Sequence, residues 1–416
     1  MKYHIITFGC QMNRSDSERL AAVLENLGYE STNSEQSADL IAVVACSVRQ
    51  AAVDRIYGKV KIWNKIRKTR KLITILTGCV LRPDQKKLKN AFDFIINIKD
   101  LNKLPALLKN QKQFSEEYLS IIPKYESQFQ AYVPISTGCN NYCAYCVVPY
   151  ARGPEKYRPA EEIINEVKCL IKNGYREITL LGQNVNSYQS QNIDFPKLLR
   201  RINDLPGDFW LRFITSHPKD LSGQLIKAMA NGRKICEYLH LPIQSGDNQI
   251  LKAMNRHYTV AHYKKLIRKV RQAIPGVAIS TDIIVGFPGE TKKQFNNTTK
   301  LMKEVNFDMA YLAEYSPRPG TVAAKLKDNV SPKEKERRYI VLNEILKETA
   351  LKNNQKYLNQ TIEVLIDGQK KNNYYGKTRA FKTVKVKKSP SIKLGDIIKV
   401  KITSVKPFSL EGVIIK

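Results

Sequence analysis

Three cysteines close together in the sequence are the strongest sign of chemistry in this chain. Cys139, Cys143 and Cys146 stand in a C-x3-C-x2-C spacing within one short segment. Thiolates are the ligands that iron–sulfur clusters require, and three on one loop can bind three irons of a [4Fe–4S] cluster. The fourth iron can then chelate the amine and carboxylate of S-adenosylmethionine (SAM). A structural zinc site needs four closed ligands, and no nearby Cys or His supplies a fourth. The spacing therefore predicts a cluster enzyme.

A second set of three cysteines follows predicted strands in the first 110 residues. The predicted strands are Tyr3–Phe8, Leu40–Ala45 and Ile73–Thr77. Continuous apolar strands separated by helices favour a parallel sheet covered on both faces. Cys10, Cys46 and Cys79 each come just past one of these strands. Because the carboxyl ends of parallel strands share the edge where ligands bind, we predict a second metal site there. The alternative is three unrelated buried cysteines.

The other cysteines and the overall composition narrow the class of protein. Cys169 lies on a charged predicted helix and Cys236 enters a strand, so both are expected to be bystanders. Eight cysteines without a signal peptide point to metal chemistry in a reducing compartment, and we expect a cytoplasmic protein. No apolar run approaches the length that spans a bilayer. A Ser-His-Asp order, a Walker A loop and an HExxH helix are also missing, so hydrolytic mechanisms of those kinds have no support.

The segment around the first three cysteines resembles a known family. Residues 135–159, ISTGCNNYCAYCVVPYARGPEKYRP, are similar to the cluster loop of radical-SAM methylthiotransferases. Four further motifs carry the same resemblance: Gly9-Cys10-Gln11-Met12-Asn13, Gly182-Gln183-Asn184-Val185-Asn186, Thr215-Ser216-His217-Pro218 and Val285-Gly286-Phe287-Pro288-Gly289-Glu290. Nearly the whole chain is covered, and the tRNA branch (MiaB type) is the most similar.

This resemblance implies a reaction. The branch adds a methylthio group to C2 of N6-isopentenyl-adenosine at position 37, beside the anticodon of tRNA. It implies two [4Fe–4S] clusters, the auxiliary one held by Cys10, Cys46 and Cys79, with SAM cleaved at the other. It also implies an electron donor such as flavodoxin or ferredoxin; the sulfur donor stays open, and a monomer is expected. Ala45 stands where the family usually has Thr and Thr137 where it has Glu, which could alter hydrogen bonding around the clusters.

Repeated βα units predict the architecture of the central part, residues 128–355. The predicted strands are Glu177–Leu181, Trp210–Ile214, Tyr238–Leu241, Ala278–Val285 and Met309–Glu314. Such repeats imply a parallel, barrel-like sheet with its site at the strand carboxyl ends, and the resemblance narrows this to a partial (βα)6 barrel. Residues 1–115 are expected to form the N-terminal α/β domain. Residues 111–131 lose the pattern and are interpreted as a linker.

Polar residues near the cluster loop and at the predicted strand ends are the candidate SAM contacts. These candidates are Tyr145, Arg152, Gln183, Asn184, Ser216, His217, Gln244 and Gly286. Barrels of this kind place ligand contacts after successive strands. An Arg fork suits a carboxylate or a phosphate, so Arg152 or Arg158 is predicted to hold the SAM carboxylate or an RNA phosphate. An ordinary surface or packing role is the alternative for each residue taken singly.

Charge and the last segment point to a nucleic-acid partner. The chain carries 69 Lys and Arg against 38 Asp and Glu, an excess that favours a polyanion as partner. The alternative is a Lys-rich proteome in which every protein is basic. Residues 357–416 read as short strands, and a basic, small antiparallel β-barrel there would fit a TRAM-like RNA-binding domain. A purely structural β-cap is the alternative. For the whole chain, methylthiolation of threonylcarbamoyl-adenosine in tRNA is the second hypothesis, and a sister branch modifies an aspartate of a ribosomal protein. A redox-sensing iron–sulfur RNA-binding protein is the non-enzymatic alternative.

Overall fold

The N-terminal part is a five-stranded parallel sheet covered by helices. The computed structural model describes residues 1–46, 50–109 and 117–415. The strands are β1 Lys2–Phe8, β2 Glu30–Ser31, β3 Leu40–Cys46, β4 Ile73–Cys79 and β5 Phe94–Ile95, in the order β2-β1-β3-β4-β5. The helices are α1 Gln11–Asn26, α2 Gln50–Arg67, α3 Arg82–Leu88 and α4 Leu104–Lys109.

Burial explains why this sheet forms in the middle of its domain. Every residue of β3 is buried, because α1 covers one face with Leu20 and Leu24 and α2 covers the other with Trp63. A strand that is apolar along its whole length is what a doubly covered parallel sheet requires. The predicted fold of this domain is therefore confirmed.

The segment interpreted as a linker is partly built into this domain. Residues 110–116, including the predicted domain boundary at 115, lie outside the described residues. Beyond them, Tyr118, Leu119 and Ile121 are buried in the N-terminal core. The linker interpretation is wrong for these three, because so short an apolar segment has no periodicity by which a sequence reveals burial.

The central part is a partial barrel of six parallel strands. Its strands and short extended pieces are β6 Gln130–Pro134, β7 Ser136–Thr137, β8 Lys156–Tyr157, β9 Glu177–Leu181, β10 Gln189–Ser190, β11 Ile193–Asp194, β12 Trp210–Ile214, β13 Tyr238–His240, β14 Ala278–Val285 and β15 Met309–Glu314. Its helices are α5 Val148–Arg152, α6 Ala160–Lys172, α7 Phe195–Asn203, α8 Gly223–Asn231, α9 Asn248–Ala253, α10 Val260–Ala273, α11 Lys292–Val305 and α12 Pro332–Gln355.

The order of the six strands leaves the barrel open at one side. Strands β6, β9 and β12 pair in parallel, as do β13, β14 and β15, and a bridge from Leu211 to Ile235 joins the two groups. Among the described strands, β6 and β15 are the free edges of this curved sheet. The predicted partial (βα)6 architecture is confirmed. No helix in the described ranges combines the length and apolar character needed to cross a bilayer.

The C-terminal part is a closed five-stranded barrel. Its strands are β16 Thr361–Lys370, β17 Asn373–Lys377, β18 Thr383–Lys387, β19 Ile397–Val405 and β20 Leu410–Ile414, in the order β16-β17-β18-β20-β19. The small barrel was expected to be antiparallel throughout, but β18 and β20 pair in parallel. The strands expected here were Ile362–Ile366, Thr383–Val386, Ile397–Ile402 and Leu410–Ile415, and β17 was not among them, because Asn-Tyr-Tyr-Gly-Lys contains no aliphatic residue.

This small barrel covers the amino-terminal ends of the central strands. Buried Arg212 on β12 pairs with Glu177 at 2.6 Å and donates to the carbonyl oxygen of Thr378 at 2.8 Å. The rings of Tyr238 and Phe381 stack with their centroids 4.8 Å apart. Two more charged pairs cross the interface, Arg379 with Glu237 at 2.8 Å and Lys382 with Asp308 at 2.7 Å. The opposite edge, at the carboxyl ends of the strands, is not covered by this small barrel and is where a functional site is expected.

Candidate functional site

The loop of Cys139, Cys143 and Cys146 connects the first barrel strands to α5. Gly138 begins the loop with φ +81°, and a side chain there would overlap the Pro154 carbonyl oxygen. Cys139 and Cys143 are buried and Cys146 is half-buried. Only glycine allows this close approach, which explains the Gly-Cys pair at the start of the motif.

Three N–H groups lie against the sulfurs of this loop. They are the Asn141 side chain at Cys139, the Val148 amide at Cys146 and the Arg256 guanidinium at Cys143, each 3.5 Å from sulfur. Burial, followed by the neighbouring Cys143, raises the pKa of Cys146 to about 12. The Cys146 thiol is therefore costly to ionise unless a cation offsets the charge, and N–H donors are what ligating thiolates accept. The donor set therefore fits an iron–sulfur cluster.

The N-terminal thiols also converge on one edge. Cys46 and Cys79 end β3 and β4 and stand opposite each other in register, so each is the last strand residue rather than the first beyond it. Cys10 is the residue that caps the start of α1, and burial, followed by the nearby charge of Cys79, raises its pKa. Asn13 ties the edge together, because its side chain accepts from the Cys10 amide at 3.4 Å and donates to the Ala45 carbonyl oxygen at 3.3 Å.

The spacing of these thiols differs from that of a single-ion site. Within residues 1–46, 50–109 and 117–415, no three His, Cys, Asp or Glu side chains could hold one metal ion. A four-iron cluster makes a different demand, since each thiolate binds its own iron and the sulfurs stand further apart.

The two sets of thiols are brought next to each other. Cys79 and Leu81 pack directly against Val147 and Ala151, which follow Cys146 in the chain. On the other side of the barrel opening, Arg318 follows β15 and interacts electrostatically with Cys46. The N-terminal domain thus sits over the carboxyl edge of the barrel.

Arg152 is not placed with the other predicted SAM contacts. Its side chain is fully buried and leaves the barrel to meet the N-terminal domain, where Nε lies 2.8 Å from the Cys79 sulfur. The same guanidinium forms an ion pair with Asp16. We correct the sequence interpretation: Arg152 is committed to the second thiol site. Arg158 pairs instead with Glu162 and Glu166.

Unpaired polar atoms mark the carboxyl edge of the barrel. Among the described residues, four buried side-chain oxygens that follow β6, β9 and β12 have no hydrogen-bond partner: Ser136 Oγ, Thr137 Oγ1, Asn184 Oδ1 and Ser216 Oγ. Buried polar groups in folded proteins are almost always paired. These atoms therefore fit a polar ligand such as SAM beside the cluster loop.

The other predicted contacts lie on the same edge. His217 is buried, with its ring 5.6 Å edge-on from Tyr258, and its Nδ1 accepts from the Lys219 amide at 3.2 Å. Burial, then the Arg256 cation, lowers the pKa of His217 to about 2. Gln183 is half-buried after β9, and Gln244 is buried with φ +74°. Tyr145 packs against the apolar cluster that contains Ala144 and Phe287.

Gly286 has a structural explanation of its own. Its φ is +68°, its amide donates to Glu290 at 2.7 Å, and a side chain there would overlap that of Lys335. Glu290 in turn pairs with the buried Arg338 at 2.7 Å. The turn after β14 is held by α12, so these contacts alone account for the glycine.

Comparison with known proteins follows the same division of the chain. Residues 2–98 match the family described as "Uncharacterized protein family UPF0004", residues 133–302 match the radical SAM superfamily, and residues 355–415 match the TRAM domain.

Full-length relatives decide the family. The chain is 40% identical to the tRNA-2-methylthio-N(6)-dimethylallyladenosine synthase of Alkaliphilus oremlandii, over 100% of this chain and 93% of that one. It is 43% identical to the synthase of the same name in Caldicellulosiruptor saccharolyticus, over 99% and 92%. The chain belongs to the radical-SAM tRNA methylthiotransferase family.

A solved structure supports the fold of this methylthiotransferase. The radical SAM methyltransferase TsrM from Kitasatospora setae superimposes with a TM-score of 0.58, covering 78% of this chain and 77% of its own. The two sequences are 12% identical. At this identity the likeness concerns the fold alone.

Two positions that depart from the family pattern have clear surroundings. Ala45 offers its main-chain oxygen to Asn13, a contact that does not depend on its side chain. Thr137 places a buried hydroxyl among the unpaired oxygens of the barrel edge. Neither position removes a thiol.

Sequence reasoning missed several groups at the methylthiotransferase site. Asp16 could have been found, since Cys10, Asn13 and Asp16 recur at intervals of three and therefore share one face of α1. Arg256 follows α9 in a stretch without a motif, and Ser136 lies within the cluster-loop segment 135–159 but was not singled out there. No sequence signal separates those two from ordinary polar residues.

Proposed function

We propose that this protein adds a methylthio group to C2 of N6-isopentenyl-adenosine at position 37 of tRNA, giving 2-methylthio-N6-isopentenyladenosine. The observation that carries this proposal is the similarity to relatives named for that product, which are 40–43% identical over at least 99% of this chain. The juxtaposition of two three-thiol sites supports it, because a sulfur insertion needs both a reactive carbon and a sulfur source in one place.

The residues that would hold the cofactors follow from the site. Cys139, Cys143 and Cys146 would hold the first [4Fe–4S] cluster, and Cys10, Cys46 and Cys79 the second. When bound, the clusters and SAM supply the one-electron and sulfur chemistry that side-chain acids and bases cannot perform. Ser136, Asn184 and Ser216 would bind SAM through their free oxygens.

The remaining groups of the chain orient and enclose this chemistry. Arg256 joins the cluster loop to the barrel, since it donates both to the Cys143 sulfur and to the Pro242 carbonyl oxygen, the latter at 2.6 Å. Because His217 is neutral over the working pH range and its Nδ1 is an acceptor, its proton sits on Nε2, where it can donate. The N-terminal domain covers the strand ends and limits access of water.

Recognition of tRNA would use the outer face of the C-terminal barrel. Tyr375 stands opposite Lys385 across β17 and β18, with Lys387 beside them, and all three point outward. A ring among cations suits an RNA backbone and its bases. We further propose that the protein acts as a cytoplasmic monomer and receives electrons from a flavodoxin or a ferredoxin.

The choice of base is the sharpest test. An isopentenyl group needs an apolar pocket, where each buried CH2 contributes about 0.8 kcal/mol, whereas a threonylcarbamoyl group would bury a carboxylate that needs a cationic partner. Anaerobically reconstituted enzyme should be given three tRNAs, carrying isopentenyl-adenosine, threonylcarbamoyl-adenosine or unmodified adenosine. Nucleoside mass spectrometry should find the 2-methylthio product from the first only. Preferential reaction of the threonylcarbamoyl substrate would contradict the proposal.

A further inference from the structure

Arg152 connects the two halves of the site. It ends α5, six residues after Cys146, and so belongs to the loop of the first thiol set. Its guanidinium nevertheless reaches a sulfur of the other set, with Nε 2.8 Å from Cys79. The Arg256 guanidinium, by comparison, lies 3.5 Å from the Cys143 sulfur.

Asp16 fixes the orientation of that guanidinium. The Arg152 Nη atoms bond to both carboxylate oxygens of Asp16, and the Tyr118 hydroxyl donates to the same carboxylate. All of these charged atoms lie out of contact with water, since the side chains of Arg152 and Asp16 are fully buried. A fully buried ion pair is poor evidence for stability, because apolar replacements of such pairs are often as stable. A functional explanation is therefore needed.

The contact with sulfur provides one. Reduction potentials of iron–sulfur clusters depend on hydrogen bonds to the ligating sulfurs and on nearby charge. A charge-assisted N–H bond to a thiolate stabilises the more negative, reduced state of the cluster. The Asp16 carboxylate binds the Nη atoms of the guanidinium rather than the sulfur. Its negative charge disfavours the reduced state of the cluster.

We propose that Arg152, oriented by Asp16, is a positioning residue that raises the reduction potential of the cluster held at Cys10, Cys46 and Cys79. This rests on the proposed function only in requiring a cluster at those thiols. The same side chain couples that potential to the packing of the SAM-cleaving loop, because both depend on where α5 ends.

Two substitutions with opposite expected signs test the proposal. In reconstituted full-length protein, Arg152→Gln should lower the potential of the second cluster by about 59 mV, a tenfold fall in the reduced-to-oxidised ratio for a one-electron couple. Asp16→Asn keeps the shape and the Tyr118 partner but removes the opposing charge, so it should raise the potential. A purely structural disturbance would move both variants in the same direction.

The matched control is Arg158→Gln. Arg158 lies in the same segment and is also buried, but its partners are Glu162 and Glu166. Redox titrations followed by electron paramagnetic resonance should give the wild-type potential for this variant. Repeating them in a Cys139→Ala/Cys143→Ala/Cys146→Ala background assigns the signal to the second cluster.

The outcomes separate this inference from the proposed function. Four irons per wild-type chain instead of eight would overturn the proposed function and this inference together, since both require the second cluster. Eight irons with an unchanged potential in both charge variants would overturn the inference alone. If the single variants do not fold, Asp16→Asn/Arg152→Met leaves no unpaired buried charge, and it must still show a lowered potential for the inference to stand.

Discussion

His217 should remain neutral even in mildly acidic solution. The residue is 5% exposed, and burial together with the Arg256 cation lowers its pKa to about 2. An unperturbed histidine has a pKa near 6.5. The substitution that isolates this group is His217→Asn, whose side-chain oxygen can keep the acceptor role toward the Lys219 amide.

The magnitude follows from proton linkage. Because the pKa of this histidine is lower in the folded state, the unfolded state takes up a proton first as the pH falls. The free energy of unfolding therefore decreases once the pH is below the unfolded pKa. At pH 7 the effect is close to zero. At pH 5, one and a half pH units below 6.5, it costs about 2 kcal/mol of folding free energy, using 1.36 kcal/mol per unit.

Two assays measure this directly. With selectively labelled histidine, an NMR spectrum should show ring signals from the five histidines of the chain. The chemical shift of the signal that His217→Asn removes should not change between pH 8 and pH 5. Urea unfolding of the metal-free protein should then show that wild type loses about 2 kcal/mol more than the variant over pH 7 to 5. His262→Asn, at an exposed position on α10, serves as the control.

A titrating His217 signal in this range would refute the reasoning. So would a stability difference between wild type and His217→Asn that is the same at pH 5 and pH 7. Either result would mean that water or an anion reaches the ring, and that the strand edge is more open than the packing of Tyr258 against it indicates.

Three other outcomes can be checked. Cys79→Ala should lower bound iron from about eight to about four per chain while SAM is still cleaved to 5′-deoxyadenosine, whereas Cys169→Ala should keep all the iron. Ser216→Ala should weaken SAM binding measured by calorimetry by about tenfold with no loss of melting temperature, since its hydroxyl lacks a partner within the described part of the protein. Lys385→Glu/Lys387→Glu should weaken tRNA binding and reduce its log–log salt slope by about two.

The sequence was sufficient for features that depend on local pattern. Strand β14 was predicted at its observed bounds, Ala278–Val285, because a segment rich in β-branched residues between two helical patterns is typical of a strand. The edge where Cys46 and Cys79 meet followed from the rule that parallel strands end together. Recognition of the family then added the reaction.

Features that depend on distant contacts could not be predicted. Arg152 was assigned to SAM because only its neighbours in sequence were visible, whereas its partner Asp16 is 136 residues away. The buried segment at Tyr118 was interpreted as a linker because it is too short to show a periodic pattern, and only its packing in the N-terminal core shows that it is buried. An arginine has the same sequence signal whether it meets a ligand, a carboxylate or a sulfur, and only the fold distinguishes these.

The two faces of the C-terminal barrel have different roles. One face closes the floor of the central barrel, where Arg212 is buried between Glu177 and the carbonyl oxygens of Thr378 and Arg379. Deleting residues from 357 onward would remove those acceptors and expose Trp210, leaving a buried charge with part of its partners gone, which is strongly destabilising. Loss of tRNA binding in such a truncation would therefore combine a damaged floor with a missing RNA surface. The outward lysines Lys385 and Lys387 of β18 can be changed without touching the floor, so they test RNA recognition by itself.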